Sequence, residues 1–216
     1  MSLETNNQCG VLFDLDGVLL DSEGTYTEFW GEIDRRYPTG VPGFCQIIKG
    51  CNLHEILTTY FPGVELQRQV EESLNEFQRD MEYRFFDGAI AFVEQLEAAG
   101  IPCCVVTSSD ERKMQALYRQ YPHFRAHFAA VVTGDMVVHA KPEPECFLLG
   151  AKMLQRDITQ CYVLEDSLNG LRAAQASGAH VIALATTLPR HEVEPYAHLV
   201  IDSITGFTVE QMLQVS

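Results

Sequence analysis

Basic residues are scarce in this chain. Its 216 residues include 15 lysines and arginines against 30 aspartates and glutamates, which gives a net charge of -15. A field of that sign repels nucleic acids and anionic membranes, so we expect neither as a partner. An anionic small-molecule substrate would therefore need a local cationic pocket.

Long apolar runs and metal-binding cysteine spacings are also lacking. No apolar run approaches the roughly 20 residues of a membrane-spanning helix, and the first residues lack the pattern of a signal peptide. The 7 cysteines are odd in number and show no CxxC spacing, and most of them, such as Cys103 and Cys161, lie at hydrophobic positions. This usage favours reduced core thiols and predicts a cytoplasmic protein. Nothing in the sequence specifies an assembly, and a monomer is favoured.

The hydrophobic periodicity divides the chain into two parts. Over residues 22–83, apolar residues recur at helical spacing between Pro and Gly breaks, which predicts a small helical segment. From residue 84 onward, helical patterns alternate with short apolar runs such as IPCCVV, CYVL and HVIAL. This alternation predicts an α/β fold with a parallel sheet covered by helices on both faces. We expect a core domain over residues 1–21 and 84–216, into which the helical segment is inserted.

The later helices can be placed from their spacing and their glycine ends. The pattern predicts helices over Ala91–Ala98, Glu111–Tyr121, Glu145–Leu154 and Leu168–Ala176.

Polar residues follow the predicted strands. The run Val11–Phe13 leads into Asp14 and Asp16, CCVV leads into residues 107–110, and CYVL leads into residues 165–167. Ligands bind at the carboxyl ends of parallel strands, so these groups are expected to converge. Two carboxylates one residue apart repel each other unless a positive charge lies between them. The simplest such charge is Mg²⁺, which prefers carboxylate and carbonyl oxygens.

Each motif has an ordinary structural explanation when it is taken alone. The DxDG sequence can be an acidic turn, and Thr107-Ser108 can satisfy backbone donors at a turn. Lys141-Pro142 can be a solvated lysine before a proline that starts a helix, and residues 165–167 can be a helix N-cap. The motifs gain weight together because they fall in order on successive turns of one sheet.

These segments resemble the four motifs of the haloacid dehalogenase superfamily. They read FDLDGVLLDSE, VVTSSD, KPEPECF and LEDSLNGLRAAQASGA, and the resemblance covers nearly the whole chain. The helical segment directly after the first motif is similar to the small cap domain of the beta-phosphoglucomutase-like branch. The resemblance implies a Rossmann-like core with an inserted helical cap domain and Mg²⁺-dependent phosphoryl chemistry.

The resemblance also implies roles for individual residues. Asp14 matches the nucleophile, which would form an aspartyl phosphate, and Asp16 matches the acid/base that protonates the leaving alcohol and then activates water. The phosphate-binding candidates are Thr107, Ser108 and Lys141. The metal-binding candidates are Asp14, Asp16 through its backbone carbonyl, Glu165 and Asp166.

The expected activity is hydrolysis of a small phosphorylated metabolite. A sugar phosphate is favoured, because a closing cap would cover a small pocket and exclude macromolecular esters. A catalytically idle phosphate-binding or interaction protein is a second alternative. It is disfavoured because both aspartates, the lysine and the acidic pair are all present.

The competing enzymatic interpretation is a beta-phosphoglucomutase, which must hold a second phosphate under its cap with cationic side chains. In an ungapped comparison with the mutase pattern, this chain has Tyr26 in place of the His and Leu53 in place of the Arg. Only the Lys-Gly pair is matched, by Lys49-Gly50. The loss of this clamp favours hydrolysis, unless a cap arginine compensates; the candidates are Arg35, Arg36, Arg68 and Arg84. The candidate substrate contacts in the cap are Tyr26, Lys49 and Gly50.

Overall fold

The computed structural model describes residues 8–215, so the first residues, on which the signal-peptide expectation rests, lie outside the described range. Within that range, six strands form one parallel sheet in the order β3-β2-β1-β4-β5-β6. The α/β prediction is therefore confirmed. The strands are β1 (Gly10–Phe13), β2 (Cys103–Val106), β3 (Ala130–Val132), β4 (Cys161–Glu165), β5 (His180–Leu184) and β6 (Leu199–Ile201).

Helices and short 3-10 turns connect the strands. The α-helices are α1 (Glu23–Arg36), α2 (Phe44–Ile47), α3 (Leu53–Tyr60), α4 (Val64–Asp80), α5 (Ala89–Ala98), α6 (Glu111–Gln120), α7 (Glu145–Met153), α8 (Leu168–Ser177), α9 (Arg190–Val193) and α10 (Val209–Met212). The 3-10 turns are Phe124–His127, Gly134–Met136, Ile158–Gln160 and Glu194–Tyr196.

The four predicted core helices end within two residues of their predicted bounds. Strand β6 was not predicted, because its three half-buried residues are too few to show a pattern.

Strand β1 occupies the middle of the sheet. All four of its residues are buried, which is why it is an apolar run without alternation. Phe13 aligns with Val105 of β2 on one side and with Leu164 of β4 on the other. The chain builds the sheet outward from β1 in one direction and then returns to its other side with β4. The turns after β1, β2 and β4 therefore lie together at the carboxyl edge, where such folds bind ligands.

The helical segment, residues 22–83, has an apolar cluster of its own. Its largest members are Phe29, Trp30, Phe44 and Phe61. Stacked and edge-on ring contacts join these residues to one another and to Phe77 of the same segment. The residues Phe61-Pro62-Gly63 separate helix α3 from helix α4. The division into two domains stays a prediction, which this second cluster supports.

Two expectations from composition can be compared with the structure. No helix of residues 8–215 combines the length and the apolar character that a membrane span requires. Cys103, Cys104 and Cys161 are buried thiols of the sheet, as the sequence predicted for core positions, and Cys146 of α7 is buried as well.

Candidate active site

The first carboxylate after β1 lies against a lysine from a distant loop. Asp14 is buried, and its backbone N–H donates to the carbonyl of Leu164 at 3.0 Å, which continues the ladder between β1 and β4. The ammonium of Lys141 lies 2.5 Å from Asp14 Oδ1 and 2.7 Å from Glu165 Oε1. The convergence of the first, third and fourth motifs is therefore found in the structure.

Three buried carboxylates form a cluster around this lysine. Asp14, Glu165 and Asp166 each offer an oxygen, and these oxygens lie within 4.8 Å of one another. Burial raises the pKa of Asp14 to about 7; the charge of Lys141 opposes the rise and that of Glu165 adds to it. Burial, followed by the charges of Glu165 and Asp14, likewise raises the pKa of Asp166. Three carboxylates beside one ammonium carry an excess charge of about -2 when all are ionised, which a divalent cation would neutralise.

Glu165 also shapes the turn after β4. Its Oε2 accepts hydrogen bonds from the backbone N–H groups of Asp166 and Ser167, each at 2.7 Å, and from Ser167 Oγ at 3.1 Å. With Lys141 on its other oxygen, Glu165 contacts four donors. A metal-ligand role for Glu165 stays a prediction, whereas its role in holding Lys141 and this turn is visible in the contacts.

The two hydroxyl residues after β2 have different surroundings. Thr107 is buried, and its Oγ1 accepts a hydrogen bond from the backbone N–H of Ser109 at 3.1 Å. Ser108 Oγ instead donates to the carbonyl of Gly50 at 2.8 Å and so joins the sheet edge to the helical segment. Both line the same cavity, and their predicted phosphate contacts stay predictions.

Asp16 points away from the acidic cluster toward a second lysine. Both of its carboxylate oxygens lie 2.5 Å from Lys113 Nζ. Ser22 Oγ donates to one of these oxygens, and Ser109 Oγ donates to the other at 3.2 Å. The side chain of Asp16 is thus outside the group of three carboxylates, and its predicted metal contact stays a prediction that involves only its backbone carbonyl.

Lys113 was not identified from the sequence. It stands in the first turn of α6, and its side chain is almost completely buried on the same face as those of Met114 and Leu117. A lysine on the apolar face of an amphipathic helix is the signal that could have found it. Glu23 was also missed; it forms an ion pair with Lys49 at 3.0 Å, and burial raises the pKa of its carboxyl group.

The helical segment covers these groups and leaves a cavity of about 120 Å³ between itself and the sheet edge. The predicted cap contacts Tyr26, Lys49 and Gly50 all line this cavity, and so does Leu53. The core contributes Asp14, Asp16, Thr107, Ser108, Lys113 and Asp166.

Gly50 forms part of the cavity wall and lies against Ser167 of the turn after β4. Its φ is +77°, and a Cβ there would lie 2.7 Å from Ser167 Oγ. The positive φ and this close approach both favour glycine where the helical segment meets the turn after β4.

Comparison with known proteins identifies the family. Residues 10–178 match the profile of the haloacid dehalogenase-like hydrolases. The chain is 32% identical to hexitol phosphatase A of Escherichia coli over 93% of both chains. It is 29% identical to the bifunctional riboflavin kinase/FMN phosphatase of Arabidopsis thaliana, of which it spans 57% of the length. The protein belongs to the haloacid dehalogenase-like hydrolases, as the four motifs predicted.

A solved structure supports the same conclusion for the fold. A family IA, variant 3 hydrolase of this family from Entamoeba histolytica superposes with a TM-score of 0.81 at 26% identity and covers 95% of this chain and 98% of its own. The likeness extends over the sheet and the helical segment together.

Gly17 gives the first test of the site. It has a φ of +79°, and a Cβ there would lie 1.9 Å from Asp166 Oδ2, so Gly17→Ala must displace the carboxylate of Asp166. We expect about a 100-fold loss of turnover of p-nitrophenyl phosphate. The matched control is Gly24→Ala, since a Cβ at Gly24 meets nothing within 4 Å. Equal activity of the two variants would contradict the close packing of this turn.

Proposed function

We propose that this protein is a Mg²⁺-dependent phosphatase that hydrolyses a small phosphorylated metabolite, with sugar phosphates as the favoured class. The observation that carries the proposal is the place of Asp14. It lies at the end of the central strand, in contact with Lys141, beside two more buried carboxylates and at the edge of the cavity under the helical segment. No other carboxylate of the described residues combines these features.

Asp14 is the proposed nucleophile. Its oxygen would form a bond to phosphorus while the bond between phosphorus and the ester oxygen breaks, and an aspartyl phosphate results. Attack by an anion on an anionic ester requires cations beside the phosphoryl group. Lys141 supplies one such cation, and its buried position strengthens its effect. Thr107 and Ser108 would hold the phosphoryl oxygens from the neighbouring turn.

Asp16 is the proposed acid and base. It faces the cavity two residues after the nucleophile, where the leaving oxygen of an ester bound at Asp14 would lie. As an acid it gives its proton to the departing alcohol. As a carboxylate it then takes a proton from the water that attacks the aspartyl phosphate, which releases inorganic phosphate and restores Asp14.

The donor set of the acidic cluster fits a hard divalent cation, because it consists of carboxylate oxygens and lacks imidazole or thiolate. Asp14, Asp166 and the backbone carbonyl of Asp16 would hold Mg²⁺, with Glu165 beside them. When bound, the ion would offset phosphoryl charge as a Lewis acid.

The cavity supports a small polyhydroxylated ester. It is covered by the helical segment, which excludes macromolecular substrates while the segment is in this position. Glu23, Lys49 and Gln78 line it with groups that hydrogen-bond to hydroxyls. The similarity to a hexitol phosphatase over nearly the full length points to the same class.

The charges around the cavity favour hydrolysis over phosphoglucomutase activity. Lys49 is paired with Glu23 and Lys113 with Asp16, so neither is available as an unpaired cation for a second phosphate. The arginines named above as possible substitutes are exposed, with Arg35, Arg36 and Arg68 on the helical segment and Arg84 directly after it. Arg35, Arg68 and Arg84 form exposed ion pairs with neighbours on their own stretch of chain.

Substitution of the nucleophile tests the mechanism. Asp14→Asn keeps the size of the side chain but removes the attacking oxygen anion, so turnover of p-nitrophenyl phosphate should fall by on the order of 10³-fold or more. Circular dichroism should show an unchanged fold. Asp80→Asn, at an exposed position, should leave turnover unchanged. A folded Asp14→Asn protein with near-normal activity would show that the mechanism is wrong.

Removal of divalent ions tests the metal. Activity should vanish in EDTA and return with Mg²⁺, whereas Ca²⁺ should not restore it, because Ca²⁺ takes more ligands at longer distances and alters the placement of Asp14. Asp166→Asn should raise the Mg²⁺ concentration needed for half-maximal activity. Full activity in EDTA would remove the metal from the proposal.

Product analysis separates the phosphatase from the mutase. An arginine clamp that makes two charge-assisted hydrogen bonds would raise the affinity for a bisphosphate by roughly two to four powers of ten. No arginine is among the described residues that line the cavity. With beta-glucose 1-phosphate and no bisphosphate primer, we expect release of phosphate and little glucose 6-phosphate. Rapid, primer-dependent isomerisation with negligible phosphate release would favour the mutase.

A further inference from the structure

A buried ammonium with no assigned role lies at the side of the cavity. Lys113 is only 1% exposed, although lysine side chains ordinarily reach solvent. Its place is fixed by the helix that carries it. Asp110 is the N-cap of α6, and Asp110 Oδ1 accepts a hydrogen bond from the backbone N–H of Lys113 at 3.0 Å. This cap sets the start of the helix so that the third residue of its first turn faces the cavity.

The ammonium group has one anionic partner and one aromatic partner. Asp16 takes it through both carboxylate oxygens, each at 2.5 Å. On the other side the ring of Tyr26 lies with its centroid 4.3 Å from Nζ, a cation–π distance. Tyr26 belongs to α1 of the helical segment, and its hydroxyl accepts a hydrogen bond from Gln78 at 3.2 Å. The lysine is thus enclosed between the sheet edge and the helical segment.

The contact constrains Asp16 in a way that its other partners do not. Ser22 and Ser109 each donate to a single oxygen of the carboxylate. Lys113 bridges both oxygens and therefore fixes the direction of the whole group. An acid that must meet a leaving oxygen needs such fixing, because small displacements of a catalytic group cost large factors in rate.

We propose that Lys113 is a positioning residue, which holds the carboxyl group of Asp16 in line with the leaving oxygen of the substrate. The inference rests on the proposed role of Asp16 as the proton donor. In that step the proton of Asp16 passes to the ester oxygen as its bond to phosphorus breaks and the bond from Asp14 forms. Lys113 itself gives up no proton and acts only through its contact with Asp16.

This role has a signature in the leaving group. Phenol is a much weaker acid than p-nitrophenol, so phenoxide needs a proton in order to depart, whereas p-nitrophenoxide departs with little help. The ratio kcat/KM reports the steps up to departure of the alcohol and excludes the later hydrolysis of the aspartyl phosphate. A misplaced acid therefore lowers kcat/KM for phenyl phosphate and spares p-nitrophenyl phosphate, whereas general damage to the site lowers both.

The experiment compares these two esters in single and double variants. Lys113→Met should lower kcat/KM for phenyl phosphate by about 10- to 100-fold and that for p-nitrophenyl phosphate by less than about threefold. Arg112→Met should affect neither, because it removes an exposed cation from the same helix turn. Lys113→Arg, which keeps the charge, should recover part of the loss. If Lys113→Met does not fold, Lys113→Gln gives the same comparison.

Asp16→Asn separates failure of this inference from failure of the proposed function. Asp16→Asn should show the same selectivity between esters, and adding Lys113→Met to it should change the ratio little. If Asp16→Asn lowers kcat/KM equally for both esters, or if the unaltered protein hydrolyses neither ester, the proposed function itself is wrong. Suppose instead that Asp16→Asn is selective, but that Lys113→Met lowers kcat/KM equally for both esters or that the losses of the two variants simply add. Lys113 then has only a structural role, and the inference is overturned.

Discussion

The ion pair that Lys141 forms with Asp14 and Glu165 is the contact on which the rest of the site depends. Carboxylates buried at the end of a sheet would be unstable without a cation, and this lysine is held within 2.7 Å of both. Burial alone would lower the pKa of Lys141, but the charges of Asp14 and Glu165 outweigh it and raise that pKa. The lysine therefore stays charged, and the central strand can end in a buried carboxylate that is available for chemistry.

Two carboxylates one residue apart acquire different properties from their surroundings. Asp14 is buried among other carboxylates and shares its lysine with Glu165. Asp16 has a lysine to itself, together with two hydroxyl groups, and it borders the cavity. These separate environments suit the proposed roles of Asp14 as nucleophile and Asp16 as acid/base.

The helical segment is joined to the same motifs that build the chemical centre. Ser108 donates to the carbonyl of Gly50, and Asn169 donates to the carbonyl of Lys49 at 3.2 Å. Tyr26 covers the ammonium of Lys113 from the opposite side. These contacts reach the turns after β2 and β4. The position of the segment is therefore physically connected to the arrangement of the candidate catalytic groups. The segment thereby lines the cavity and completes the surroundings of Asp16.

The sequence by itself determined the family and the parallel sheet, and it singled out the candidate residues of the chemical centre, because local periodicity and short motifs specify strands and their ends. Asp14, Lys141 and Asp166 could each be identified in this way. The partners of the second carboxylate were decided only by tertiary structure. Lys113 lies 97 residues from Asp16 in a helix whose pattern shows an isolated buried lysine but no partner for it. Neither the pairing of Lys49 with Glu23 nor that of Lys113 with Asp16 follows from spacing, since the first depends on how the elements of the helical segment pack together and the second on how α6 packs beside the turn after β1.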